Sequence, residues 1–373
     1  MTYLDHGATS FPKPRSVTDA VVCAMENCGN PGRGGYEAAM RSARTVLRCR
    51  ERAGQLFECE PEQVVCTTSC THGLNMAIRT LVKPGSRVVV SGFEHNAVTR
   101  PLHGLGANVH VAGKKLFDRT DTLEQFEQAL RRGMDAAVFT HVSNVFGYIL
   151  PVAEMAALCR KYRVPFIVDC AQSAGILPVS MKDWGADFIA MPGHKGLLGP
   201  MGTGLLLCGR VPKPLLMGGT GSQSENQQMP DFLPDVGEAG TVNVPGIAGL
   251  SAGIDHVMKT GPERILRREQ QEMRRCAAKL ETFGYTVFSG EHQCGTVSFV
   301  PDCGCEELAE HLGKQGVCVR AGLHCAPLAH ASAGTLETGT VRVSFGHDAS
   351  ARQVGNLVFG LEKFRNSRGI SKA

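Results

Sequence analysis

Ala186-Asp-Phe-Ile-Ala-Met-Pro-Gly-His-Lys-Gly-Leu-Leu-Gly-Pro-Met-Gly-Thr-Gly204 is the stretch whose reading decides the fold. An apolar run at 188–191 halts at Pro192-Gly193, and His194 and Lys195 follow. A glycine-rich segment then leads to a second apolar run at 205–207. This pattern reads as a strand, a tight loop with a basic nucleophile at its tip, and another strand. Lysine amines form Schiff bases with carbonyl compounds, the aldehyde of pyridoxal phosphate among them. Taken alone, a loop lysine is more often simply solvated.

Outward from this stretch, strand and helix signals alternate. Strand-like runs at 64–67, 87–91, 108–112, 136–141 and 165–169 are separated by helical patterns at 72–82, 95–105, 122–132 and 152–162. The rhythm predicts an α/β fold, with a mostly parallel sheet and helices on both faces. Such sheets bind ligands in the loops at the carboxyl ends of their strands. Before this region, an extended arm of a dozen residues precedes a helix after Pro14. A loop at 30–35 follows, then a long Arg-rich amphipathic helix at 36–57. Residues 211–246 lack periodicity and read as a long functional or interface loop. Two helices are expected across 247–283. Strands at 285–288, 295–300, 317–319 and 341–345, with helices at 306–314 and 349–364, form a separate α+β unit. The expected division is a large α/β domain over 15–250 and a small α+β domain built from 1–14 and 251–373.

The 373 residues suffice for two cores. A net charge of +4 is too weak to argue for a nucleic acid or membrane partner. No signal pattern opens the chain and no apolar run approaches membrane-spanning length, so a cytoplasmic location is expected. The 15 cysteines are odd in number and scattered through helices and strands, which suits reduced thiols. Cys66-x-x-x-Cys70 and Cys303-x-Cys305 lack the second half of a zinc site, and no metal is expected.

The strand ends carry the chemistry. Asp169 closes Phe-Ile-Val-Asp and ends the unit next to that of Lys195. An acid there is either a cap, a solvated group, or the partner of a pyridine nitrogen that keeps it protonated and electron-withdrawing. Thr68-Ser-Cys70-Thr71-His72-Gly73 joins a strand to a helix, and reads as an N-cap or a phosphate cradle. His95, after the next strand, is a ring to stack on a cofactor, or a capping or core histidine. Asn144 either bonds a ring substituent or makes a turn. Arg320-Ala-Gly-Leu-His324-Cys325-Ala-Pro places a cysteine in a loop beside an arginine, where a nearby cation favours thiolate. Arg342, in a strand, suits a substrate carboxylate or an internal salt bridge.

Together these motifs resemble the class V aminotransferase family of fold type I, pyridoxal phosphate-dependent enzymes, and within it the SufS-like group II cysteine desulfurases. Tyr3-Leu-Asp-His-Gly-Ala-Thr9 is similar to that family's opening Tyr-Leu-Asp-x-Ala-Ala, and Cys70-Thr-His-Gly-Leu-Asn75 to its Thr-Thr-Glu-Gly-Ile-Asn. Glu94-His-Asn96, His141-Val-Ser-Asn-Val-Phe-Gly147, Val168-Asp-Cys-Ala-Gln172, Gly193-His-Lys195 and Glu238-Ala-Gly-Thr241 follow in family order. Arg320-Ala-Gly-Leu-His-Cys-Ala326 resembles the group II signature Arg-x-Gly-x-His-Cys-Ala.

The resemblance implies a large domain with a mostly parallel seven-stranded sheet, a smaller α+β C-terminal domain, and a homodimer. It implies Lys195 as the Schiff-base lysine and proton shuttle, Asp169 on the pyridine nitrogen, Gln172 on the ring hydroxyl, and His95 stacked on the ring. The phosphate falls to Thr71, His194 and, from a dimer partner, Thr241, with Cys70 also among the cofactor-binding residues. The substrate carboxylate falls to Asn144, Arg320 and Arg342. Cys325 would take the sulfur of L-cysteine as a persulfide, leaving L-alanine, and pass it to a sulfur-acceptor protein. A selenocysteine lyase acting on L-selenocysteine, or another class V aminotransferase or lyase with Cys325 as a bystander, is the alternative. Three departures stand out. Pro192 replaces a common serine and removes one phosphate hydrogen bond, while His72 and Asn96 replace a Glu and a second His.

Overall fold

The structure is a computed structural model and describes residues 1–32 and 34–368. Arg33, in the expected loop at 30–35, and the last five residues of the expected small domain lie outside the described residues. A short strand β1 (Thr2–Tyr3) and an arm precede helices α1 (Arg15–Asn27) and α2 (Glu37–Phe57). Alternation follows: β2 (Val64–Thr67), α3 (Cys70–Leu81), β3 (Arg87–Ser91), α4 (Asn96–Gly104), β4 (Asn108–Ala112), α5 (Arg119–Arg131), β5 (Ala136–Thr140), α6 (Val152–Tyr162), β6 (Phe166–Asp169), α7 (Met181–Trp184), β7 (Phe188–Pro192) and β8 (Gly204–Cys208). Beyond the loop come α8 (Val244–Thr260), α9 (Pro262–Thr282), β9 (Thr286–Phe288), β10 (Thr296–Val300), α10 (Cys305–Lys314), β11 (Val317–Cys318), β12 (Arg320–Gly322), α11 (Pro327–Ala333), β13 (Thr340–Ser344) and α12 (Ala351–Ser367).

Seven strands form one sheet in the order β2-β8-β7-β6-β5-β3-β4. Only β8 runs against its neighbours, pairing antiparallel with both β2 and β7. Residues of β5, β6, β7 and β8 are all buried, because helices cover both faces. Side-chain alternation splits them between two cores. Ala137, Phe139, Val168, Ile189 and Leu205 join α2, α5 and α6 on one face. Ala136, Val138, Ile167, Ala190 and Leu206 join α3 and α4 on the other.

A four-stranded antiparallel sheet, β12-β13-β10-β9, makes the smaller unit. Its core draws on α9, α10 and α12, and Leu4 of the arm is part of it. β1 pairs with β11, which ties the arm to this unit. Helix α8 runs unbroken through residue 250 and gives Ile247, Leu250 and Ile254 to the large core. We therefore propose that the division between the units falls at the α8–α9 junction, where Gly261 adopts φ 87°.

Helices α3 and α5 begin two or three residues earlier than hydrophobic periodicity alone suggests. Ser69 caps α3 by accepting from the His72 amide, and Asp118 caps α5 through the Asp121 amide. The short helices α7 and α11 lie in segments where the sequence pattern predicts no helix.

Candidate active site

Parallel pairing sets the strand ends at one edge of the sheet. Thr140 of β5 lies opposite Asp169 of β6, which lies opposite Ala190 of β7. The turn after β7 is locked by bonds from the Gly193 amide to the Thr203 carbonyl (2.9 Å) and from the Gly199 amide to the Gly193 carbonyl (2.7 Å). A Cβ at Gly193 would overlap Thr203 Oγ1, so this turn requires glycine. The arm clasps the same turn. The Ser10 amide (3.0 Å) and Lys13 Nζ (2.8 Å) both donate to the His194 carbonyl. Burial and the nearby Lys195 and Lys13 cations push the His194 imidazole down to about 4, so it is neutral at pH 7.

Lys195, Asp169, His95, Cys70, Thr71, Asn144, Gln172, His194, Arg320, Arg342 and Cys325 all line one cleft of about 300 Å³. Thr241 does not. It is exposed in the long loop and lines a separate depression with Arg50 and Glu238. Desolvation, then the Arg342 guanidinium, lowers the Lys195 ammonium below its ordinary value, and Asp169 opposes them. A depressed amine pKa favours the nucleophilic form.

Asp169 is 2% exposed, and its Oδ1 accepts from the Ala171 amide (2.9 Å) and the Cys70 thiol (3.4 Å). The Cys70 thiol is thus committed to Asp169, while its backbone amide stays at the start of α3. The side chain turns inward to Asp169, because Cys70 is the first residue of α3 and packs into the core. Burial, then Asp169, raises the Cys70 thiol well above its usual range, and it stays protonated as a donor. Thr71, by contrast, is exposed at the helix start, where the aligned peptide dipoles favour an anion.

His95 takes the capping role and also faces the cleft. It caps α4, its Nδ1 accepting from the Ala97 amide (3.0 Å), and it walls the cleft. That acceptance assigns the proton to Nε2, and burial lowers the ring's pKa. Its neighbour Glu94, unremarked in the sequence beyond the motif, braces the turn. Its Oε1 accepts from the Ser91 amide (3.2 Å), the Ser91 hydroxyl and the Thr140 amide (2.9 Å). Complete burial raises its carboxyl to about 8.

Cys325 is exposed at the cleft. Two bonds tie its loop to the start of α4 and the loop after β5. The Asn96 amide donates to the Cys325 carbonyl (2.8 Å), and Asn144 Nδ2 donates to the His324 carbonyl (2.8 Å). His324 and Cys325 both adopt left-handed backbone, φ 48° and 55°. This turns the thiol loop sharply. With Nδ2 engaged, Asn144 is left with a buried Oδ1 that has no partner. One N–H of Asn144 thus supports the thiol loop, and its second N–H is the donor that a substrate carboxylate would take.

The two arginines share one acid. Asp5 takes a two-pronged contact from Arg320 Nε and Nη2 (3.0 and 2.8 Å) and a bond from Arg342 Nη2 (2.8 Å). Arg342 also donates to the Asn144 carbonyl (3.0 Å), while its buried Nε has no partner. It therefore makes the internal salt bridge the sequence left open, and keeps one donor free. Gln172 Nε2 donates to the Gly7 carbonyl (2.9 Å). Asp5 is a site residue the sequence reading did not single out. Its only signal was its place in the opening Tyr3-Leu-Asp run.

The family model for class V aminotransferases matches residues 2–357. A probable cysteine desulfurase from Methanothermobacter thermautotrophicus is 31% identical, over 97% of this chain and 94% of that protein. A cysteine desulfurase from Escherichia coli is 29% identical, over 99% of this chain and 94% of its own length. The apo structure of cysteine desulfurase from Thermococcus onnurineus superposes with a TM-score of 0.88 at 28% identity, covering 98% and 94% of the two chains. With a lysine and an acid at adjoining strand ends of a fold matched along its length, this chain belongs to the class V aminotransferase family.

Proposed function

We propose that the protein is a pyridoxal phosphate-dependent cysteine desulfurase, forming L-alanine and a persulfide on Cys325. The observation that carries this reading is the Cys325 thiol standing in the cleft of Lys195 and Asp169, on a loop bonded to Asn96 and Asn144. The residues present fit the cofactor. A lysine with a depressed pKa faces the cleft, Asp169 is buried at an adjoining strand end, the start of α3 offers an anion site, and Arg342 Nε is a buried donor without a partner.

Lys195 would hold the cofactor and move a proton at the substrate Cα. Asp169 would pair with the ring nitrogen, kept in place by Ala171 and Cys70. Thr71, His194 and a partner subunit's copy of Thr241 would bind the phosphate, Gln172 the ring hydroxyl, and His95 the ring face. Arg342 and Arg320 are the cations available to the substrate carboxylate. Bound pyridoxal phosphate supplies an electron-withdrawing ring that acidifies the substrate Cα–H. The thiolate of Cys325 forms a bond to the substrate sulfur as the Cβ–S bond breaks. The electron pair of that bond stays with the substrate, and protonation at Cβ leaves alanine. The sulfur on Cys325 then passes to an acceptor protein.

Cys325→Ala tests this reading. The variant is expected to keep the yellow colour of the cofactor and to lose alanine formation from cysteine. Alanine formation at the wild-type rate would overturn the role of Cys325, and activity surviving on selenocysteine alone would point to a lyase.

A further inference from the structure

Where the arm meets the turn after β13, His6, His347 and Asp348 come together. Each offers a ligand atom within 4.8 Å of the others, the one such group among the described residues. His6 sits on the arm, while His347 and Asp348 form the turn between β13 and α12. His6 is 6% exposed, yet neither of its ring nitrogens has a hydrogen-bond partner. His347 Nδ1 and Asp348 Oδ1 are buried without partners as well. His6 Nε2 lies 3.3 Å from Asp348 Oδ1 without the alignment of a hydrogen bond. Four buried lone-pair or donor atoms without partners in one place is a costly arrangement that something must offset.

Ligands about 2.0–2.1 Å from a tetrahedral zinc ion lie about 3.3 Å apart. The His6–Asp348 separation is therefore already that of two ligands on one tetrahedral ion. Side-chain rotation within 4.8 Å brings the His347 ring into the set. A cavity lined by His6, His347 and Glu269 adjoins the group and leaves room for a fourth ligand. The site is also shaped by glycine, since a Cβ at Gly346 would overlap the His6 ring.

We propose that His6, His347 and Asp348 bind one divalent transition-metal ion, zinc or cobalt by the chemistry of the ligands, which clips the N-terminal arm to the β13–α12 turn. Two imidazoles and a carboxylate suit such ions and not calcium or magnesium, which take oxygen ligands. The clip fixes the arm one residue from Asp5, whose carboxylate holds Arg320 and Arg342.

The test uses holoenzyme dialysed against a chelator and titrated with Co²⁺ alone. Wild type is expected to bind one equivalent, with visible d–d absorption and no thiolate charge-transfer band assigned to that equivalent. Both His347→Ala and Asp348→Asn are expected to bind Co²⁺ more than about 100-fold more weakly, beyond the 10–100-fold that outer-shell changes cost. Circular dichroism and cofactor absorbance establish that each variant is folded. Asp348 is partly exposed, so its variant serves if His347→Ala does not fold. No cobalt uptake by wild type, unchanged affinity in a folded variant, or uptake through thiolates only would each overturn the site. None of these outcomes depends on desulfuration.

Discussion

At the residue scale, Asp5 does the most with the least. One carboxylate, 7% exposed, meets two guanidiniums that lie 315 and 337 positions along the chain. Arg342 is 2% exposed, so its charge is tolerable only with that partner. Asp5→Asn keeps the shape and removes the charge. Breaking a buried pair by losing one partner costs about 3–5 kcal/mol, and the remaining Arg342–Asn144 bond argues for the low end, about 3 kcal/mol. Urea unfolding should show that loss, with a higher KM for the amino-acid substrate. Unchanged stability would mean that the pair is solvated. That Lys195, Asp169 and Cys325 share one cleft was legible only from their motifs in combination, since each taken alone reads as readily as a solvated, capping or inert residue. Asp5, the turn of Cys70 onto Asp169, and the meeting of His6 with His347 were not. Contacts across hundreds of residues leave no local pattern.

At the element scale, α3 and the turn after β7 position the chemistry. Ser69 Oγ accepts from the His72 amide at 3.1 Å, which orders the first turn of α3 beside the cleft. Ser69→Ala should cost about 1 kcal/mol, the usual worth of an N-cap. If the start of α3 receives the phosphate, the same variant should release cofactor more readily on dialysis. Lost stability with undiminished cofactor retention would separate the cap from the site. Most elements were legible, since buried strands such as β5 to β8 read as short apolar runs between turn signals. Their helices were legible by period, and their starts less so, because capping side chains outside the apolar stripe decide them. α11 escaped because seven residues rich in alanine carry no amphipathic pattern.

At the scale of the whole molecule, the cleft lacks Thr241, the one expected ligand that sits elsewhere. The loop that bears Thr241 also exposes Met217 (82%), and α1 and α2 expose Met25 (70%) and Met40 (45%). Exposed apolar residues near a displaced ligand suit a second copy of this chain. Sedimentation is expected to give twice the 39.9 kDa of one chain. A monomer that binds cofactor as tightly as any other form would remove Thr241 from the site. The α/β alternation was legible from the sequence, whereas which surfaces face a partner was not, because an apolar residue on a helix reads the same in a core or an interface. The central claim is that sulfur lands on Cys325. Mass spectrometry of the protein after a brief exposure to cysteine, without reductant, tests it most directly. One added sulfur on the peptide containing Cys325 and an equal amount of alanine are expected; alanine formed with that peptide unmodified, or the sulfur found on another cysteine, would rule out Cys325 as the sulfur acceptor.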